Sequence, residues 1–128
     1  MGKKYLIDSN VIIDYTSNLL SREGFEFIED ILNNDFNISV IVEIEVLGYN
    51  EEVYKMKLLE SFLSLANVLP LDTFVTRKTI ELRKSYKLKL GDAIIAAIAL
   101  IYGLTIITRN TSDFKIIENL TTINLYQL

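Results

Sequence analysis

The chain has 128 residues, with 13 Lys and Arg against 17 Asp and Glu for a formal net charge of −4, and it contains neither Cys nor His. Those two absences exclude disulfides, thiol nucleophiles, zinc ribbons and any acid–base step that needs imidazole, so any enzymatic chemistry falls to oxygen ligands and to Lys or Arg. Half of the residues are hydrophobic and 23% are charged, which is a globular composition, and the length suits one domain over residues 1–128.

Tyr5-Leu6-Ile7 is a short apolar run that meets Asp8-Ser9-Asn10. It reads as a buried strand followed by polar residues that cap a helix over residues 11–15. The run is too short to be the apolar region of a secretory signal. Ser21 caps a second helix with Phe25, Ile28, Ile31 and Leu32 on one face, and Asn33-Asn34-Asp35 breaks it. Residues 36–39 form a second strand, whereas 40–49 fit strand or helix equally well by pattern. Asn50 is expected to cap an amphipathic helix that carries Val53, Met56, Leu59 and Leu63 in register. Residues 67–71 are a third strand, and Asp72 caps a helix running to about Lys87. The apolar stretch 93–107 is shorter than the roughly 18–20 residues of a membrane-spanning helix and is interrupted by Gly103 and Thr105. It reads as a buried helix opening near Gly91 and closed by Gly103, then a fourth strand over 105–108. After a short helix, residues 122–125 form a fifth strand.

Strands that alternate with helices predict an α/β fold, a single-domain α/β/α sandwich around a mostly parallel, roughly five-stranded central sheet. Such sheets bind ligands at the carboxyl ends of their strands. That edge carries Asp8 after the first strand and Asp113 after the fourth.

Most of the acids belong to solvated helix faces. Four stand out. Asp8 ends a buried strand, where it also suits a helix cap. Asp92 leads an apolar stripe of Ile95, Ala96 and Ala99, where it also suits the first turn of a helix. Glu45 sits among Ile41, Val42, Ile44, Val46 and Leu47, with Glu43 an equal competitor by periodicity. Asp113 lies in Thr-Arg-Asn-Thr-Ser-Asp-Phe, a turn-like setting. Acids gathered at one mouth repel and raise one another's pKa. A hard cation removes that cost, and a carboxylate set without His or Cys suits Mg²⁺ or Mn²⁺.

Four segments, Ile7-Asp8-Ser9-Asn10-Val11-Ile12-Ile13, Ser39-Val40-Ile41-Val42-Glu43-Ile44-Glu45-Val46-Leu47, Gly91-Asp92-Ala93-Ile94-Ile95-Ala96-Ala97 and Thr108-Arg109-Asn110-Thr111-Ser112-Asp113-Phe114, occur in an order that resembles the PIN-domain nucleases, in particular the VapC toxins of toxin–antitoxin pairs. The resemblance spans nearly the whole chain and assigns the family's four acids to Asp8, Glu45, Asp92 and Asp113. The Ser-to-Glu spacing selects Glu45 over Glu43. Val42 stands where family members often carry Thr. The resemblance also implies that Asn10, Thr108 and Asn110 orient the acids by hydrogen bonds.

The activity implied by the resemblance is Mg²⁺-dependent endonucleolytic cleavage of RNA, with Mn²⁺ as an alternative ion. One or two cations held by the four acids would activate a water, and cleavage would leave 5′-phosphate and 3′-hydroxyl ends. A cognate antitoxin and a homodimer are implied in the same way, and the expected location is the cytoplasm, away from membranes. Residues 77–89 carry six of the 13 basic residues against the single acid Glu81. Arg77, Lys84, Lys87 and Lys89 from this strip, with Arg109, are the expected RNA-binding side chains. The rival readings are a PIN-like scaffold that binds without cutting, a PIN nuclease of RNA processing without an antitoxin, and a two-component receiver domain. The receiver lacks support because Asp8 is followed by Ser9-Asn10 rather than a second acid.

Overall fold

Leu6 and Ile7 are almost wholly buried, as are all three residues of the strand they pair with. In this computed structural model, which describes residues 4–127, β1 (Tyr5–Ile7) runs parallel to β4 (Thr105–Ile107) with Leu6 opposite Ile106. Met1 to Lys3, the basic tip of the chain, and Leu128 lie outside the described residues. β5 (Thr122–Ile123) adds to the far side of β4, again parallel. β2 (Asn37–Ser39) and β3 (Asn67–Leu69) form a second parallel ladder. The seam between the two ladders is bridged by a side chain: the buried Asn37 amide donates to the Tyr5 carbonyl at 3.1 Å and accepts from Asn67 Nδ2 at 3.2 Å. β1 thus lies beside β2 where the two ladders meet, and within each ladder the strands are parallel, so their carboxyl ends share one edge.

Six helices connect the described strands: α1 (Ser9–Thr16), α2 (Arg22–Asn34), α3 (Val40–Leu47), α4 (Val53–Leu63), α5 (Thr73–Ser85) and α6 (Leu90–Tyr102). Caps set several of their starts. Ser21 Oγ accepts from Gly24 N–H at 3.1 Å, and Asp72 Oδ1 accepts from Val75 N–H at 2.8 Å. The ambiguous segment after β2 is helical because Ser39, fully buried at the strand's end, accepts from Val42 N–H at 3.1 Å. α6 is apolar on every side, and Ala93 through Ala99 are all buried. It packs along α5 and beside β4, where its alanines permit close approach. Gly103 ends it at φ +66°, a left-handed conformation that glycine adopts without steric cost.

Several expected boundaries move. Asn50 does not cap α4; the helix begins at Val53, and Glu52 occupies the cap position without a side-chain bond. The apolar stripe of α4 is correspondingly narrow: Leu59 and Leu63 are buried, Met56 is partly covered, and Val53 is exposed. β3 stops at Leu69 because Pro70 has no N–H to extend the ladder. α5 stops at Ser85, where Tyr86 turns to extended backbone. The short helix before β5 is a single 3₁₀ turn, Thr111–Asp113, and a second such turn, Leu125–Gln127, follows β5. No described helix is long and apolar enough to cross a membrane.

Candidate active site

Asp8 follows β1 directly. Its own N–H continues the ladder to the Ile107 carbonyl at 2.9 Å, which fixes the backbone, and its side chain then caps α1. Oδ1 accepts from Ser9 N–H at 2.8 Å, and Oδ2 accepts from the Thr108 hydroxyl at 2.7 Å. Asp8 is 7% exposed. Burial pushes its carboxyl above the ordinary range, the bonds from Thr108, Ser9 and Asn10 pull it back, and the charge of Asp113 pushes it further up.

Three other acids reach this point from distant parts of the chain. Glu45 sits on α3, which starts at the carboxyl end of β2, and lines a cleft with Ser9 and Asn10. Its carboxyl is raised by partial desolvation and by the charges of Asp8 and Asp92, against a lowering bond from the Ser9 hydroxyl. Glu43, two residues earlier, stands about 200° around the helix from Glu45, so only one of the two can face the cleft. Asp92 sits in the first turn of α6. Burial, then Asp113 and Asp8, raise its carboxyl, while Lys89 lowers it. Asp113 ends the 3₁₀ turn and is exposed to solvent. The mutual repulsion links all four acids.

The polar frame is built from both sides of β4. Thr108 is fully buried and accepts from Asn110 N–H at 3.0 Å, so Asn110 contributes through its main chain. Asn10 Oδ1 accepts from Arg109 N–H at 3.0 Å, tying the loop after β4 to α1. The four acids are oxygen donors only, which is the chemistry of a hard divalent cation. Among the described residues no three carboxylates are grouped tightly enough to grip one ion unaided.

Residues 5–120 match the PIN domain. The chain belongs to the PIN-domain family. No protein of curated function matches it. Among solved structures, a toxin–antitoxin complex from Klebsiella pneumoniae is similar at 30% identity, covering 98% of this chain and 100% of that one with a TM-score of 0.79. FitAcB from Neisseria gonorrhoeae is 26% identical over 97% of this chain and 99% of that one, TM-score 0.75. DNA-bound VapBC from Salmonella typhimurium is 25% identical over the same shares, TM-score 0.79. This PIN domain thus resembles the VapC-type toxin fold along nearly all of its length.

In the PIN domain the basic strip divides. α5 and α6 form a helical hairpin, so exposed Lys84, Lys87 and Lys89 come to the end that carries Asp92. Arg77 lies eight residues, about 12 Å of helix rise, before the end of α5 and belongs to the distant part of the strip. Arg109 reaches the cleft beside Glu45 and Asn110. Sequence reasoning missed Asp14, a buried acid one turn beyond Asn10 on α1. Its i+4 spacing from Asn10 was the one local signal. Arg109 Nη1 donates to Asp14 Oδ2 at 3.1 Å, and the Tyr126 hydroxyl donates to the same oxygen.

Proposed function

We propose that this PIN domain, folding as one unit over residues 1–128, is a Mg²⁺-dependent endoribonuclease and the toxin of a VapBC-type pair. The observation that carries the reading is the buried Asp8 carboxylate, held by Thr108 and raised by burial at the central carboxyl edge, with Glu45 coupled by charge to Asp8 and Asp92, and Asp113 coupled to Asp8 and Asp92. Asp8 and Asp92 are the principal ligands in this reading, with Glu45 and Asp113 completing the shell directly or through water. When bound, Mg²⁺, or Mn²⁺ in its place, supplies the charge that activates water and offsets the phosphate. Asn10 and Thr108 hold Asp8 in one orientation, and Lys84, Lys87, Lys89 and Arg109 attract the phosphate backbone. With no His in the chain, a 2′-hydroxyl attack run by paired imidazoles is ruled out. Hydrolysis by water, leaving 5′-phosphate and 3′-hydroxyl ends, is the route that suits these residues.

A cognate antitoxin is the proposed protein partner, supported by likeness to structures described as toxin–antitoxin complexes. A homodimer in the cytoplasm completes the reading. Exposed Val53, Tyr54 and Leu58 on α4 leave apolar surface for such partners.

The test is cleavage of single-stranded RNA by the purified protein in Mg²⁺, in EDTA, and by Asp8→Asn. Cleavage in Mg²⁺ that both EDTA and Asp8→Asn abolish is the expected result. Activity that survives both refutes the metal reading. RNA binding without cleavage by the wild type replaces the enzyme with a binding scaffold.

A further inference from the structure

Beside the four acids lies a cleft of about 310 Å³, near the lower end of the ~300–1,000 Å³ of small-ligand sites. α1 forms one wall through Ser9, Asn10 and Asp14, α3 and the residues after it form the other through Glu45 and Tyr49, and the loop after β4 closes one end with Arg109. Arg109 is the only basic residue lining it among the described residues. Its guanidinium is gripped from two sides. Nη1 donates to buried Asp14, and the carbon centre stands 5.9 Å from the centroid of the Tyr126 ring. Tyr126 in turn donates its hydroxyl to Asp14. Asp14 is 6% exposed, a costly place for a carboxylate unless it is paired and hydrogen-bonded. The Arg109 side chain nonetheless remains 53% exposed. A guanidinium has five N–H donors, and Asp14 engages one of its nitrogens, so donors remain for a ligand in the cleft. Across the cleft Tyr49 is 54% exposed, an aromatic face without the burial that would explain it as core.

We infer that this cleft is a single-nucleotide subsite for RNA, in which Arg109 takes the phosphate flanking the scissile one and Tyr49 stacks on its base. The inference rests on the ribonuclease reading and deepens it. Asp14 and Tyr126 are positioning residues: they hold a cation against the outward pull of solvent and keep its fork directed for bidentate phosphate recognition. A base presents a flat face whatever its identity, so the stacking half of the subsite tolerates any sequence.

The experiment measures anisotropy of a labelled single-stranded RNA 12-mer on the Asp8→Asn protein in Mg²⁺, across a salt series, with melting curves to verify folding. Arg109→Gln should weaken binding about tenfold and reduce the slope of log affinity against log salt by about 0.7, the signature of one phosphate lost from a single strand. Arg109→Lys should keep the slope and lose part of the affinity. Tyr49→Ala should weaken binding about tenfold with the slope unchanged, and Tyr49→Phe should restore it. Asp14→Asn should cost part of what Arg109→Gln costs, and should add nothing in the double variant. An unchanged slope in Arg109→Gln, or additive losses from Asp14→Asn and Arg109→Gln, overturns the subsite alone. An Asp8→Asn parent that binds no RNA, with a wild type that cuts none, overturns the ribonuclease reading and the subsite with it.

Discussion

The Thr108 hydroxyl donates to Asp8 Oδ2 at 2.7 Å across a sequence separation of 100 residues. The two residues follow neighbouring parallel strands, so a single bond joins the ends of β1 and β4 and orients the most buried acid of the site. Thr108 is fully buried and also accepts from Asn110 N–H, so removing its hydroxyl takes a donor from Asp8 and an acceptor from Asn110 N–H together.

Thr108→Val, nearly isosteric, should therefore destabilise the protein by about 1–3 kcal/mol. Thr108→Ser, which keeps the hydroxyl, should lose markedly less. Urea denaturation of the three proteins checks this, and equal midpoints for Val and Ser would show that the hydroxyl contributes nothing.

Asp92 bears on pH dependence. Burial is the main cause of its raised carboxyl, with Asp113 and Asp8 adding repulsion. A carboxyl whose folded value stands above its ordinary 3.8 favours folding fully below 3.8 and loses that contribution as pH rises through the folded value. In EDTA, Asp92→Asn should therefore melt above the wild type at neutral pH, and the gap should close as the pH falls towards 3.8. Melting curves across that range decide the sign.

The same repulsion predicts the response to metal. Mg²⁺ or Mn²⁺ at a hundredfold over its dissociation constant should stabilise the wild type by about 2.7 kcal/mol through mass action. Asp8→Asn should respond far less. A wild type whose melting temperature ignores both ions would leave the acids without a cation.

Glu45 and Glu43 give a paired test of orientation on α3. Glu45→Gln should lower RNA cleavage on the order of 10–100-fold, while Glu43→Gln should leave it within about twofold, as surface changes away from a site generally do. Initial rates at saturating Mg²⁺ separate them, and the reverse ranking would exchange their roles.

Ser39 ties stability to the same helix. Its buried hydroxyl caps α3 through Val42 N–H. Ser39→Ala should cost about 1–2 kcal/mol and also reduce cleavage, because Glu45 lies less than two turns beyond the cap on the same short helix. Thermal melts and initial rates test the two effects, and a loss of stability with full activity would detach Glu45 from the cap.

Much of this fold was legible because its signals are local. The run Tyr5-Leu6-Ile7 ending at Asp8, the caps at Ser21 and Asp72, and the closure of α6 at Gly103 each depend on a few neighbouring residues. Residues 40–49 were not decidable by pattern. Their apolar run serves a strand or a helix equally, and the choice came from Ser39, whose burial at the end of β2 turns its hydroxyl into a cap. Asn50 misled for the complementary reason. It is a good capping residue in an exposed loop, and the helix instead begins where Leu59 and Leu63 can reach the core.

By itself, the sequence determined the alternation of strands and helices, the absence of imidazole and thiol chemistry, and a surplus of acid. Without the four site acids, thirteen acids would balance thirteen bases. Only the tertiary structure decided that these four share one neighbourhood, and that Asp14, Arg109 and Tyr126 meet beside them across separations of 95 and 112 residues. The physical reason is that parallel strands return their carboxyl ends to the same edge. Residues remote in the chain thereby become neighbours, and their charges act on one another only once the sheet has formed.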